Sequence, residues 1–257
     1  MYDIRERFLE ARGLGRPSCA DDEMQRLLTA GDPLPEYDTL FAGADDEYLI
    51  SRNQARFLKR IVTERRIKNI VEFGAGASSL IFASALSETG GGALTSVEER
   101  PEWCAETWEK VLQCENVDAR LVPSKLRLRI DRKGFYFAYP DARAAIAERG
   151  PFDLVLIDAP QWCYGRDGGL HSVYPYLKPG AAVILDDAAR IMERWTLFRW
   201  LSLYPDLRLV LFRPDYAKGL AVLTKTGERG SRLSPGAFAT SLYHVYKHRK
   251  FRRQLRW

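Results

Sequence analysis

Cysteine is scarce in this chain, and the four present are spaced in a way that excludes the common structural uses of the residue. Cys19, Cys104, Cys114 and Cys163 form no Cys-x-x-Cys pair and no partnered histidine pattern accompanies them, so neither a zinc site nor a disulfide framework is indicated. They are expected to be reduced, with Cys163 the one most suited to line a site. Long apolar runs are also missing. No stretch approaches the roughly 18 uncharged apolar residues needed to cross a bilayer, and the opening Met1-Tyr2-Asp3-Ile4-Arg5-Glu6-Arg7 lacks the apolar core of a secretion signal. A cytoplasmic location is the expectation. Internal repeats are absent as well, which excludes a solenoid.

What is present is the composition of a globular protein: 257 residues, 46% hydrophobic and 28% charged, enough for one large domain or one domain with an appendage. The net charge of +5 is concentrated at one end. Lys247, Arg249, Lys250, Arg252, Arg253 and Arg256 stand in the last eleven residues without an acid, so the remainder of the chain is close to neutral. Interleaved with Tyr243, Tyr246, Phe251 and Trp257, this tail suits phosphate-bearing partners such as nucleic acid, an anionic membrane or an acidic glycan. It equally suits a solvated terminal helix whose aromatics dock on the domain.

The stretch Asn69-Ile70-Val71-Glu72-Phe73-Gly74-Ala75-Gly76-Ala77-Ser78-Ser79 is the most informative. An apolar strand runs into a Gly-x-Gly turn and then the start of a helix, and two glycines allow the backbone to turn sharply and approach a ligand closely. Glu72 precedes the turn, and Ser79 stands at the third-glycine position of the dinucleotide fingerprint. A carboxylate there suits a cationic ligand better than a pyrophosphate, which makes a nicotinamide dehydrogenase the least favoured reading.

Further strands follow in order. Leu94–Glu98 ends in an acid 24 residues after Gly74, near the offset at which a carboxylate meets ribose hydroxyls, with Glu99 beside it. Phe152–Asp158 is an apolar strand ending in an acid, and Leu177–Asp187 is a turn and strand ending in two. Ligands of open parallel sheets bind beyond the carboxyl ends of the strands, so Glu72, Glu98, Asp158, Asp186 and Asp187 should share one rim. Each could instead cap a following helix. Asp153, before its strand, reads as a turn residue.

Helices are expected at Ile4–Ala11, Met24–Ala30, from a Ser51 cap to Val62, Ser78–Leu86, Pro101–Gln113 and Glu193–Leu203, and a short strand at Ala119–Val122. Leu207–Phe212 and Leu220–Thr224 read as two closing strands. The basic, aromatic segment Pro123–Tyr139 fits poorly as a helix connection; it would either fold over a ligand or make a surface excursion.

The Glu-x-Gly-x-Gly turn, the acid at Glu98 and the Glu98-Glu99-Arg100-Pro101 sequence resemble class I S-adenosylmethionine-dependent methyltransferases over roughly residues 50–225. The resemblance implies an α/β fold, a Rossmann-like doubly wound sheet of about seven strands whose last strand is antiparallel, with an N-terminal helical cap at 1–48, the cofactor domain at 49–226 and a basic C-terminal helix within 227–257. It implies S-adenosylmethionine held by Glu72, Gly74, Ala75, Gly76, Ser78, Ser79, Glu98, Glu99 and Asp158.

Asp158, Asp186 and Asp187 also resemble the acids of metal-dependent O-methyltransferases of the catechol type, which implies Mg²⁺ or another divalent cation and roles for Asp158 and Asp186 in catalysis. That group usually carries a lysine three residues after the first acid, where this chain has Gln161. His171, expected on a loop, is the candidate base, or else a loop hydrogen-bonder.

Ile157-Asp158-Ala159-Pro160, Tyr164-Gly165-Arg166 and Leu185–Arg190 with Glu193 and Trp195 resemble sugar and polysaccharide O-methyltransferases of the glucuronoxylan type. Arg166 and Arg190 could then grip a substrate carboxylate or phosphate, or Arg190 could pair with Asp186 or Glu193. Trp162, Tyr164 and Trp195 could stack on a ring or simply pack. The implied activity is methyl transfer to a hydroxyl of a glycan or small molecule. The alternatives are a nucleic-acid methyltransferase that uses the basic tail, against which stands the lack of an Asn/Asp-Pro-Pro-Tyr/Phe motif, and a non-catalytic cofactor-binding module.

Overall fold

Runs such as Asn69–Phe73 and Phe152–Ile157 bury nearly every residue, so a sheet built from them must be covered on both faces. The computed structural model shows how. It describes residues 4–19, 21–29, 34, 37, 50–161 and 164–255, with the side chains of 4, 5, 247, 248 and 250–255 outside the description. In chain order the first half consists of α1 (Ile4–Glu10), β1 (Ser18–Cys19), α2 (Asp22–Thr29), α3 (Arg52–Glu64), β2 (Asn69–Phe73), α4 (Ala77–Glu88), β3 (Gly92–Glu98), α5 (Ala105–Leu112) and β4 (Val117–Pro123). The second half follows with β5 (Arg127–Asp131), β6 (Gly134–Ala138), α6 (Arg143–Arg149), β7 (Phe152–Ile157), α7 (Asp167–Val173), β8 (Leu177–Asp186), α8 (Ile191–Leu203), β9 (Leu207–Arg213), β10 (Leu220–Lys225) and α9 (Pro235–Leu255).

The main sheet has the order β4-β3-β2-β7-β8-β10-β9-β1. Strands β2, β3, β4, β7 and β8 run parallel, and β10 lies antiparallel between β8 and β9. The chain goes outward from β2 to β4 and returns to β7 on the other side of β2. That reversal opens a crevice at the carboxyl ends of β2 and β7.

Alternate residues feed two cores. Val71, Phe73, Val155, Ile157, Val183 and Leu185 face one side, with Leu197 and Trp200 of α8. Ile70, Leu154, Leu156 and Ile184 face the other, with Phe57, Leu58, Ile61 and Val62 of α3 and Leu80 and Ile81 of α4. Ser51 caps α3 by accepting the Gln54 N–H, as its position before the apolar periodicity implies.

Eight strands rather than about seven make the sheet. The added one is β1, two residues paired antiparallel with Phe212 and Leu211, which covers the otherwise open edge of β9. The N-terminal segment is bonded into the body elsewhere too: Phe8 of α1 stacks on Trp195 of α8, with ring centroids 5.5 Å apart, and Leu9 and Leu14 are fully buried. Of the expected helix Met24–Ala30 the described part is α2; Ala30 and residues 38–48 lie outside the described residues.

The segment 123–139 is a β-hairpin, β5 paired with β6, rather than an irregular loop. Its turn is closed by Asp131, which accepts the Lys133 N–H at 2.7 Å and the Tyr136 hydroxyl at 2.7 Å. The inner strand docks on α9, where Phe135 meets Phe238 edge to face at 5.5 Å and its N–H donates to the Ser241 hydroxyl at 3.0 Å. It also lies so close to α7 that a Cβ on Gly168 would fall 1.8 Å from the Phe137 carbonyl oxygen. The hairpin's aromatics are therefore spent on helix docking. Helix α9 carries the basic tail; Tyr243 is half-buried, Tyr246 is exposed, and Phe251 and Trp257 lie outside the description.

Among the described residues no helix is long and apolar enough to cross a membrane. Cys19, Cys104 and Cys114 are unpaired thiols, and Cys163 lies outside the described residues.

Candidate active site

Strand register brings the expected rim together. Phe73 pairs with Val97 and with Ile157, and Ile157 pairs with Leu185, so Gly74, Glu98, Asp158 and Asp186 each stand one step beyond a paired residue at the same edge of the sheet. The Gly74 N–H donates to the Val97 carbonyl at 2.9 Å, and the Asp158 N–H to the Phe73 carbonyl at 3.0 Å.

The two glycines of the turn do different jobs. Gly74 adopts φ +97°, and a Cβ there would come 3.1 Å from the Ala159 methyl. Its lack of a side chain is needed by the protein itself. Gly76 is extended, and a Cβ on it would meet nothing within 4 Å. The space over Gly76 is open, as a cradle for a cofactor requires.

Glu72 lies on the α4 face of the sheet, inside an otherwise apolar layer, and is fully buried. It accepts hydrogen bonds from the hydroxyls of Ser78 at 2.8 Å, Ser96 at 2.5 Å and Ser79. Ser79 in turn accepts the Gly76 N–H at 2.9 Å. Loss of hydration pushes the Glu72 carboxyl up to about 7, against the pull of the three hydroxyls. Glu72 and its serines thereby support the turn from beneath. Glu98 closes the turn from the opposite side, accepting the Ala75 N–H at 3.0 Å and the Arg100 N–H at 2.8 Å. Glu99 is exposed beside it.

At the ends of β7 and β8, one carboxylate oxygen from each of Asp158, Asp186 and Asp187 lies within 4.8 Å of the other two. That is a donor set for a hard divalent cation. An arginine is already among them. Arg166, only 3% exposed, places one guanidinium nitrogen 2.9 Å from Asp158 and 2.6 Å from Asp187. Another of its nitrogens donates to the Asp186 carbonyl at 2.8 Å, and Glu193 stands 3.9 Å away. The expectation that Arg166 grips substrate is therefore corrected: it is buried and bonded to the acids. Arg190 pairs with Asp187 at 2.7 Å rather than with Asp186 or Glu193, and Asp187 itself adopts φ +55°.

Two acids of the cluster are shifted upward. Burial pushes Glu193 up to about 7, and burial with the adjacent Asp186 raises Asp158 well above the ordinary carboxylate range despite the pull of Arg166. Asp158 is also the open member: 39% of its side chain is exposed, whereas Asp186 and Asp187 are buried.

Gln54 was not singled out from the sequence, yet its amide donates to the Asp186 carboxylate from α3. A signal existed: Gln54 falls on the buried stripe with Phe57, Leu58 and Ile61, and a polar residue on such a stripe needs a partner.

His171 is in α7 rather than on a loop. It is buried, with Nδ1 2.8 Å from the Tyr204 hydroxyl and its ring edge-on to Tyr136 at 4.6 Å, and burial pushes it down to about 3. Enclosed and neutral, it is packed as a core histidine. Tyr164 sits edge to face with Phe137 at 5.0 Å, and Trp195 stacks on Phe8, so both are engaged in packing. Trp162 lies outside the described residues.

Residues 71–188 match the family model described as a methyltransferase domain. Over that stretch the chain is similar to such a domain. No curated protein matches the chain. Among solved structures the chain resembles a protein from Staphylococcus aureus, provisionally assigned as a caffeoyl-CoA O-methyltransferase, at 18% identity and a TM-score of 0.54 over 87% of this chain and all of that one. It also resembles the S-adenosylhomocysteine-bound methyltransferase PaMTH1 from Podospora anserina, at 16% identity and TM-score 0.53 over 88% and 97% of the two chains. A methyltransferase from Geobacter sulfurreducens aligns at 15% identity and TM-score 0.53 over 82% and 98%. At these identities the likeness is one of fold.

Proposed function

We propose that the protein transfers a methyl group from S-adenosylmethionine to a hydroxyl oxygen of a glycan or small molecule. The observation that carries this reading is the adjacency of the glycine turn and the end of β7: a Cβ on Gly74 would lie 3.5 Å from the Asp158 carbonyl carbon, the space over Gly76 is open, and the Asp158 side chain is 39% exposed. The bound cofactor supplies an electrophilic methyl on a sulfonium centre. Glu98 would exchange its hold on the Ala75 and Arg100 amides for ribose hydroxyls, Gly74–Gly76 would carry the methionyl end, and Glu99 would flank the nucleoside.

A hydroxyl becomes a competent nucleophile as its proton leaves, and Asp158 is the acid at the rim with room to take it. Contact with Asp186 and Arg166 holds that carboxyl in place. Arg190, 40% exposed at the mouth, is positioned to meet an acidic group on the acceptor. The three acids do not fit a divalent cation while Arg166 bridges two of them, and no step is routed through one.

Calorimetry with S-adenosylmethionine and S-adenosylhomocysteine tests the cofactor assignment, with Glu98→Ala as the weakened control. Absence of binding by the wild type defeats it. Transfer of labelled methyl to uronic-acid glycans or catechols, lost in Asp158→Asn, tests the reaction. A nucleic-acid acceptor is the second reading, favoured by the six basic residues of 247–257. It requires RNA binding that weakens steeply with salt.

A further inference from the structure

We propose that the Arg166 guanidinium is the resident cation of the acidic rim, standing where a divalent metal would bind between Asp158 and Asp187, and that the site works without a metal. The last clause rests on the methyl-transfer reading; the first stands on the geometry alone.

A metal bridging the facing oxygens of Asp158 and Asp187 would take the place of the guanidinium nitrogen that contacts them at 2.9 and 2.6 Å. Metal and nitrogen cannot both occupy the space between two such oxygens, since carboxylate–Mg²⁺ bonds of about 2.1 Å would bring them into collision. Asp187 Oδ1 is left without a hydrogen-bond partner, but the other facing donors are committed. The Asp187 oxygen that faces Arg166 is shared with Arg190 at 2.7 Å, and the Asp186 carboxylate accepts the Gln54 amide.

Arg166 cannot easily step aside. Its other nitrogens donate to the backbone carbonyls of Asp186, at 2.8 Å, and Pro160, at 3.4 Å, and the side chain is almost wholly enclosed. Withdrawal would leave a buried charge to find new acceptors. The neighbouring residue locks the segment further: Asp167, at the start of α7, is bonded twice to Arg199 of α8. A planar guanidinium also offers what a metal would in holding these acids, a fixed positive charge that bridges carboxylates and keeps the Asp158 edge toward the acceptor. Arg166 thus acts through Asp158, as a positioning residue.

Mn²⁺ titration followed by electron paramagnetic resonance tests the proposal on the full chain. The wild type should show no saturable Mn²⁺ binding, and Arg166→Ala, by vacating the space, should bind one Mn²⁺ per chain at least about tenfold more tightly. Asp187→Asn added to Arg166→Ala should abolish that gain, and Arg166→Lys, which keeps a charge there, should behave as the wild type. Stoichiometric Mn²⁺ binding by the wild type that is lost in Asp186→Asn overturns the proposal. So does a folded Arg166→Ala that binds no more Mn²⁺ than the wild type. Should Arg166→Ala fail to fold, the wild-type and Arg166→Lys titrations decide. S-adenosylhomocysteine calorimetry on the same samples separates the two readings: failure to bind it defeats methyl transfer and leaves the Mn²⁺ result standing.

Discussion

Asp167 and Arg199 meet twice inside the protein, Nε to one carboxylate oxygen at 2.7 Å and a terminal nitrogen to the other at 2.6 Å, and so tie the first turn of α7 to the middle of α8. The same arginine nitrogen lies 2.9 Å from Nδ1 of His244 on α9, which brings the C-terminal helix into the tie. Asp167 follows Arg166 directly, so this fork anchors the segment that delivers a guanidinium to the acidic rim.

Removing one partner of such a pair leaves a buried charge unanswered, and Asp167→Ala should lower stability by roughly 3–5 kcal/mol in chemical denaturation. Although burial raises the Asp167 carboxyl, the charge and hydrogen bonds of Arg199 outweigh it and hold the group down at about 2. A depressed acid contributes stability above its unfolded value of 3.8 and loses it as pH falls through about 2. The loss should be on the order of 2 kcal/mol between pH 4 and pH 2 and be missing from the variant. A variant within 1 kcal/mol of the wild type would show the fork to be dispensable.

Glu72 has the opposite sign. Its folded-state carboxyl titrates near 7 against 4.5 unfolded, so the protonated form favours folding. Its contribution is complete below pH 4.5 and is lost as pH rises through about 7, with Glu193 acting in the same window. Each costs roughly 3 kcal/mol across it. Thermal unfolding of Glu72→Gln, which cannot ionise, should decline less than the wild type between pH 5 and pH 8. Parallel curves would mean that Glu72 stays charged in the folded protein.

The two glycines of the turn should separate fold from ligand. Gly74→Ala forces a side chain into a left-handed backbone against Ala159 and should cost on the order of 1–3 kcal/mol of stability. Gly76→Ala is accommodated by the protein and should change stability by under about 0.5 kcal/mol. Its methyl group enters the cradle, and S-adenosylhomocysteine affinity should fall by about tenfold or more. Unchanged affinity in a stable Gly76→Ala would move the cofactor away from this turn.

His171 is held neutral, so an acidic limb in the pH–rate profile should not belong to it. His171→Asn is expected to lower activity only through lost packing and to leave the limb where it was. Disappearance of a limb near pH 6.5 in that variant would restore the histidine as a base.

The parallel sheet, its antiparallel closing strand and the rim of acids were legible from local pattern. Strands buried on both faces are mostly apolar, the first glycine of the turn is needed for reasons internal to the backbone, and residues at the ends of parallel strands must share an edge. The hairpin at 127–138 was harder to read because its apolar residues serve α7 and α9, which are distant in sequence.

The sequence by itself determined which acids stand at the carboxyl ends of the strands, Glu98, Asp158, Asp186 and Asp187, with Glu72 one residue short of the end of its own. Only tertiary structure decided what those groups face. Three serines enclose Glu72, a glutamine from α3 holds Asp186, and the segment leading into α7 turns Arg166 inward between Asp158 and Asp187. The physical reason is that a carboxylate's role depends on the charges and donors within a few ångströms of it, and most of these come from elements outside its own strand.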